Sequence, residues 1–527
     1  MTVPNRHAPF RSPLPDRLTA SELGRLGLVV CTASVLAALT YLAPGLERLR
    51  PWLPGEGVPI GRLFGPQEAA SLPEFAEAAT AIGSAQTSRG ETERSQAPPP
   101  PHRAAAEPPL QSQAPVASRP ADEPKTQPQG RPTRSLGVTI DPRAYADLER
   151  EIESPGGGDP LARFYEALLR TAQGLAGAIT RVAHYGDSAV AADGITHTMR
   201  RNLQQRFGDA GHGFMLIARG YMHYLHRGIR HRSSDDWELY PIVRRRLGKG
   251  WYGYGGVQYR GQPGAKAYFG SVRDGPVGTR VGRFEIHYQR HPRGGLIKYR
   301  LDRGRSKLIN TRGPVADQWE VVDAVDGPHL LRLQVAGRGH TRLYGVVLER
   351  DGPGVVYDSL GLVGARARRL LNFEPEHIRR QIGWRNPDLL VLGFGGNEAT
   401  DPISDWGLYE RDLRRVVQIM RGGTRVACLL FAPLDQGRKT RRGRIETVAN
   451  LPRLVEVQRS AAAAEGCAFF DTFQAMGGPR SIWRWYRARP RLALSDFRHA
   501  TPAGYEKIGV MFHKALLKGF ADYLARR

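Results

Sequence analysis

From residue 351 onward, short apolar runs alternate with helix-patterned segments, and this rhythm constrains the fold more than any other feature of the chain. Residues 388–394 read as a strand buried on both faces, residues 410–420 as a helix stopped by Gly422, and residues 425–432 as a second such strand. Residues 467–471 supply a third strand, and a last helix begins with Thr501 as N-cap and Pro502 in its first position and runs to about residue 525. Strand and helix in alternation predict an α/β domain with a parallel sheet covered by helices on both faces. The same rhythm occurs earlier, with helical spacing at 161–172, a short strand at 179–185 leading into Gly186-Asp187-Ser188, and a further helical pattern at 195–207. Between these parts, glycines and aromatics are frequent and short alternating runs recur at 282–288, 296–301, 319–322, 329–335 and 343–348. That spacing predicts an antiparallel β-sandwich inserted into one α/β domain, with boundaries at 140–232, 233–350 and 351–527. Trp251, Tyr252, Tyr254 and Tyr259 fall in the insertion, where aromatics either stack on sugar rings or, as the favoured reading has it, fill the core.

The N-terminal part places this domain. Residues 26–43 form an uncharged, mostly apolar run at the lower limit for spanning a bilayer. Arg6, Arg11, Arg17 and Arg25 precede it, which by the positive-inside tendency leaves residues 1–25 in the cytoplasm, although Arg48 and Arg50 follow. The expectation is a single-pass inner-membrane anchor with the folded domain in the periplasm; a cleaved signal peptide and a lipoprotein processed at Cys31 are the alternatives. Residues 44–139 read as a disordered linker rich in proline, including four in succession at 98–101, since little in them repays the entropy of folding.

Charge and cysteine content narrow the partners. Lys and Arg outnumber Asp and Glu by 76 to 51, a net charge of +25, which favours polyanions such as anionic lipid or an acidic wall polymer without choosing among them. No basic block interleaved with aromatics is recognised, so nucleic acid is not expected as a partner. Of the three cysteines, Cys31 lies in the apolar run, while Cys428 and Cys467 lie in strand-like segments. They pair if adjacent strands bring them together, but two reduced core cysteines are the favoured reading. No metal-ligand spacing and no cofactor motif is present.

In a parallel sheet, reactive groups collect beyond the carboxyl ends of the strands. Three segments fall there: Gly186-Asp187-Ser188 at a strand-to-helix turn, Gly395-Gly396-Asn397-Glu398 after the 389–394 run, and Asp496-Phe497-Arg498-His499 on the loop before the last helix. Each is ordinary by itself: a chance turn, a loop bend, a surface pair. In this order, and each at a strand's end, they form a set. Asp187 reads as a structural brace of the turn, whereas His184 and His212 have no partner that sequence names.

The set resembles the SGNH (GDSL) hydrolase superfamily. The resemblance implies a flavodoxin-like three-layer fold, with Ser188 as nucleophile, Asp496 and His499 completing a catalytic triad, and Ser188, Gly364 and Asn397 forming the oxyanion hole; Gly361 is the fallback for Gly364. It is narrower toward the peptidoglycan O-acetylesterase branch. That branch also carries a carbohydrate-binding-like sandwich between its first two blocks, favours Asn-Glu-Ala as at Asn397-Glu398-Ala399, and has Thr-x-x-Gly-Tyr after the histidine, as from Thr501 to Tyr505. Members commonly have His after the nucleophile, where this chain has Ala189. The implied activity is removal of O-acetyl groups from an envelope glycan through an acyl-serine. An O-acetyltransferase with the same triad, and a non-catalytic glycan-binding anchor, are the alternatives.

Overall fold

A computed structural model of the protein describes residues 137–219, 224–244, 247–424 and 426–527. The tail 1–25, the apolar run 26–43 and nearly all of the 44–139 segment lie outside the described residues. Among the described residues, no helix is long and apolar enough to cross a membrane.

Five strands form a wholly parallel sheet: β1 (Ile179–Gly186), β2 (Gly354–Gly361), β3 (Leu389–Gly393), β4 (Ala427–Phe431) and β5 (Ala468–Phe470). They lie in the order β2-β1-β3-β4-β5, the flavodoxin-like arrangement, whose direction of winding reverses at β1 and β3. The α-helices are α1 (Ala162–Ala172), α2 (Ser188–Ala191), α3 (Gly194–Phe207), α4 (Pro375–Arg385), α5 (Trp406–Arg421), α6 (Asn450–Ala464), α7 (Ser481–Arg487) and α8 (Pro502–Ala525), with a further single turn at Thr472–Ala475. Side chains alternate across the sheet, as the pleat requires. Leu389, Val391, Ala427 and Leu429 enter one core with α1, α3 and α8, whereas Leu390, Leu392, Cys428 and Leu430 enter the other with α4, α5 and α6. This explains the unbroken apolar runs, because both faces of each strand are dry. Thr501 caps α8 by accepting a hydrogen bond from the Gly504 N–H, and α5 stops at Gly422, whose φ of 55° is left-handed.

The insertion between β1 and β2 is an antiparallel sandwich. Its larger sheet orders Ala316–Gly327, Val281–Arg290, Thr341–Glu349, Val257–Gly261 and Trp237–Pro241, with Gly213–Met215 also on Thr341–Glu349. The other orders Ile229–Ser233, Lys266–Ser271, Leu330–Ala336, Leu296–Leu301 and Lys307–Asn310. Phe284, Ile286 and Leu343 from one sheet share a core with Phe269, Ile297 and Leu331 from the other. The antiparallel part therefore begins at Gly213, before the expected boundary at 233; Phe214 and Met215 are buried, but a three-residue strand is too short to display alternation. Tyr252, Tyr254 and Tyr259 are fully buried and fill the core, whereas Trp251 is half-buried and stacks on His377 at 5.2 Å.

Charge also stitches the insertion to the parallel sheet. Arg385 of α4 donates to Asp358 of β2 at 2.9 Å and to Glu349 of the sandwich at 2.7 Å, and Arg181 of β1 donates to Glu349 at 2.9 Å. Burial opposes ionisation of Glu349, but the two guanidinium groups outweigh it and hold its carboxyl well below the usual range.

Cys428 and Cys467 form a disulfide, which corrects the reading of two free thiols. The parallel pairing of Leu429 with Ala468 sets the preceding residues side by side, with their Cα atoms 4.9 Å apart.

Candidate active site

Strands β1, β2 and β3 end in glycine at one level, Gly186 standing opposite Gly361 on one side and Gly393 on the other. A Cβ on Gly186 would sit 2.3 Å from Val190 Cγ2, and one on Gly361 would sit 2.1 Å from the Ala191 nitrogen. The one-turn helix α2 thus rests directly on strand-end backbone. Ser188 is its first residue, and Asp187 caps it by accepting the Ala189 N–H at 3.0 Å. At that position the Ser188 N–H has no carbonyl of its own helix to meet and remains available to an anion.

Ser188 Oγ lies 3.0 Å from His499 Nε2, and His499 Nδ1 lies 2.6 Å from Asp496 Oδ2. The other Asp496 oxygen accepts the backbone N–H groups of Arg498 at 2.9 Å and His499 at 3.1 Å. Phe497 between them takes a left-handed φ of 54°, which folds the loop so that residues three apart meet. Partial burial raises the pKa of Asp496, but the ring and backbone donors prevail and hold the carboxyl below its ordinary value. An ionised Asp496 fixes the proton on Nδ1 and leaves Nε2 as the acceptor facing Ser188. All three residues assigned to the triad therefore converge.

The oxyanion set converges in part. Asn397 lines the same cleft of about 60 Å³ as Ser188 and His499; one N–H of its amide donates to the Ala365 carbonyl at 2.8 Å, and its geometry leaves a second donor. Gly364 is not among the cleft-lining residues: it is exposed, with φ of 76°, in the turn closed by the Ala365 N–H on the Leu362 carbonyl. Its segment reaches the site through Ala365 instead. Gly361 is buried beneath α2, where its lack of a side chain serves packing.

Two buried carboxyls lie beside the triad. Burial pushes Asp187 up to about 6, against the pull of the Ala189 N–H and His499. Burial likewise pushes Glu398, next to Asn397, up to about 7; one of its oxygens accepts the Ala367 N–H at 2.7 Å, while the other has no partner among the described residues. Gln436, which sequence reading passed over, also lines the cleft and donates to the Gly396 carbonyl at 2.7 Å. It follows the end of β4, the same strand-end signal that marked the other segments. Among the described residues, no group of three His, Cys, Asp or Glu side chains is arranged to hold a metal ion. His184 bonds Tyr357 at 2.9 Å inside the core, and His212 packs against His226, with ring centres 4.7 Å apart.

Residues 325–507 match the model of the GDSL-like Lipase/Acylhydrolase family. Fold, strand-end geometry and the match of this segment together support the class of GDSL-like, SGNH-type esterases. Within that class, the chain is similar to a structure of a peptidoglycan O-acetylesterase, at 20% identity and a TM-score of 0.59, over 70% of this chain and 99% of that one. A lipase/acylhydrolase from Enterococcus faecalis matches at 20% identity over 31% of this chain and 77% of its own, with a TM-score of 0.24. An acetyl xylan esterase matches at 17% identity over 30% and 78%, also at 0.24. No curated protein sequence matches the chain.

Proposed function

We propose that this protein is a periplasmic, membrane-anchored serine esterase that removes O-acetyl groups from a cell-envelope glycan, with peptidoglycan as the favoured polymer. The observation that carries the proposal is the continuous relay from Ser188 through His499 to Asp496, at 3.0 and 2.6 Å. His499 Nε2 takes the Ser188 proton as Oγ attacks the ester carbonyl, while Asp496 holds the tautomer and stabilises the imidazolium. The Ser188 N–H and the Asn397 amide stabilise the oxyanion. The alcohol leaves with the proton from His499, and water activated by the same ring releases acetate.

The cleft supports a short acyl group, since about 60 Å³ holds only a few waters. The disulfide between Cys428 and Cys467 fits an oxidising compartment. The apolar run at 26–43 supports an anchor, and the following proline-rich segment a spacer that lets the domain search the wall. The similarity in fold to a peptidoglycan O-acetylesterase supports the choice of polymer.

The test is acetate release by the full chain from a small aryl acetate and from O-acetylated peptidoglycan. Release is expected from both, and Ser188→Ala should lower it by roughly 10⁴-fold or more. Undiminished release by that variant would refute the triad; release from the aryl acetate alone would refute the polymer.

A further inference from the structure

The described surface around the catalytic loop carries an excess of cations over acids, Glu446 opposite Arg438 being the acid on its basic hairpin. The hairpin formed by Gly437–Lys439 and Ile445–Thr447 presents Arg438, Lys439, Arg441, Arg442 and Arg444, all exposed. It begins one residue after the cleft-lining Gln436, and the Gly437 N–H donates at 2.7 Å to the carbonyl of Phe497, inside the Asp496–His499 loop. Helix α7 completes the wall. Arg480, its N-cap, donates to the Ile445 carbonyl, and the Ile482 N–H donates to buried Asp435 at 2.9 Å. A Cβ on Gly437 would approach Ile445, Ile482 and Phe497 together, so hairpin, helix and catalytic loop meet at this glycine.

Aromatic rings are set among these charges. Trp483, Tyr486 and Phe497 pack together with centres 5.0 to 5.9 Å apart, while Arg487 lies over Trp483 at 5.7 Å and Arg491 over Tyr486 at 4.7 Å. The sequence reading that no basic block is interleaved with aromatics is corrected here: residues 480–491 are such a block. Elsewhere, arginines meet carboxylates, as Arg366 meets Asp401 and Arg459 meets Glu153 and Asp471. Among the described residues, none of the five hairpin cations, nor Arg487, Arg491 or Arg498, forms an ion pair.

We infer that this wall binds the glycan substrate as a polyanion, a strand bearing carboxylates at regular intervals, and lays it across the Ser188 cleft. The inference rests on the esterase reading for the glycan's identity as substrate. Magnitude decides between a polymer and a small anion. An exposed charge pair contributes about fivefold at most, so one carboxylate is scarcely held, whereas a strand engages many cations at once. The half-buried aromatic faces add apolar surface for sugar rings. The direct link of the hairpin to Phe497 places the strand beside the triad, where an acetyl ester on it can enter.

Binding separates this proposal from catalysis. Full-chain Ser188→Ala, which does not turn over ester, is titrated with polygalacturonate and with its methyl ester, the same backbone without charge. Affinity for the charged polymer should exceed that for the neutral one at least tenfold. It should also collapse between about 0.01 and 1 M salt, as the screening length falls from ~30 to ~3 Å. Adding Arg438→Ser, Lys439→Ser, Arg441→Ser and Arg442→Ser should weaken charged-polymer binding at least tenfold, with the thermal midpoint as the check on folding. Equal binding of the two polymers overturns the proposal without use of the hairpin substitutions. So does a loss confined to phosphatidylglycerol vesicles, or retention of a single-stranded oligonucleotide at salt that releases the polymer. Binding as expected, with no acetate released by the unsubstituted chain, would instead sink the esterase reading.

Discussion

Two acid–base clusters sit at opposite depths of this molecule. The His499–Asp496 pair is on a loop, its side chains 41% and 44% exposed, whereas Arg385 and Glu349 are 1% and 4% exposed at the junction of sheet and sandwich. The loop pair is held by local geometry: a left-handed residue, two backbone N–H groups, and a three-residue separation. The buried cluster is held by the whole fold, since its members come from β1, β2, α4 and the insertion. Exposure keeps the loop pair in contact with water, so removing either partner strands no buried charge. Burial makes the other cluster a structural joint that cannot lose a member cheaply.

The comparison breaks first at the joint. Arg385→Ala leaves Asp358 buried without its guanidinium and Glu349 with Arg181 alone, and denaturant unfolding should show a loss of about 3–5 kcal/mol. At the loop end, Asn397→Ala should lower kcat by roughly 10²–10³ on an aryl acetate with little change in unfolding midpoint, as expected of a donor used at the oxyanion. A large loss of stability in that variant would instead make Asn397 a brace for the Ala365 turn.

The smallest effect sharpens the contrast, because Glu398 is buried yet lies next to the site. Its carboxyl is pushed up by burial from 4.5 to about 7, so between those values the folded state holds a proton that the unfolded chain has lost. Stability from this group is therefore complete below about 4.5 and declines as pH rises toward about 7, by at most ~1.4 kcal/mol per pH unit. Glu398→Gln keeps an acceptor for the Ala367 N–H and should flatten that part of the slope in unfolding measured from pH 4 to 8. An unchanged slope would mean that other carboxyls raised by burial, Asp187 and Asp388 among them, carry it.

Strands β3, β4 and β5 were legible because burial on both faces writes a continuous apolar run. β2 was not, since Tyr357-Asp358-Ser359 interrupts the run, and Asp358 is acceptable there only because Arg385, distant in sequence, meets it. The convergence of Ser188 with Asp496 and His499 was legible because Ser188 directly follows a strand and the other two share one short loop before the last helix. Gly364 was assigned by analogy, and its place in an exposed turn depends on how the chain leaves β2, which no local pattern records. The disulfide escaped for a similar reason: a separation of 39 residues says nothing about which strands are neighbours.

The glycine level beneath Ser188 has a consequence for substrate scope. Gly186 and Gly361 face α2 and not the cleft, so a side chain at either would displace the helix that carries Ser188 before it narrowed the acyl site. Any tuning of the acyl chain length accepted therefore falls to residues that line the cleft itself, such as Val190, Leu434 and Gln436.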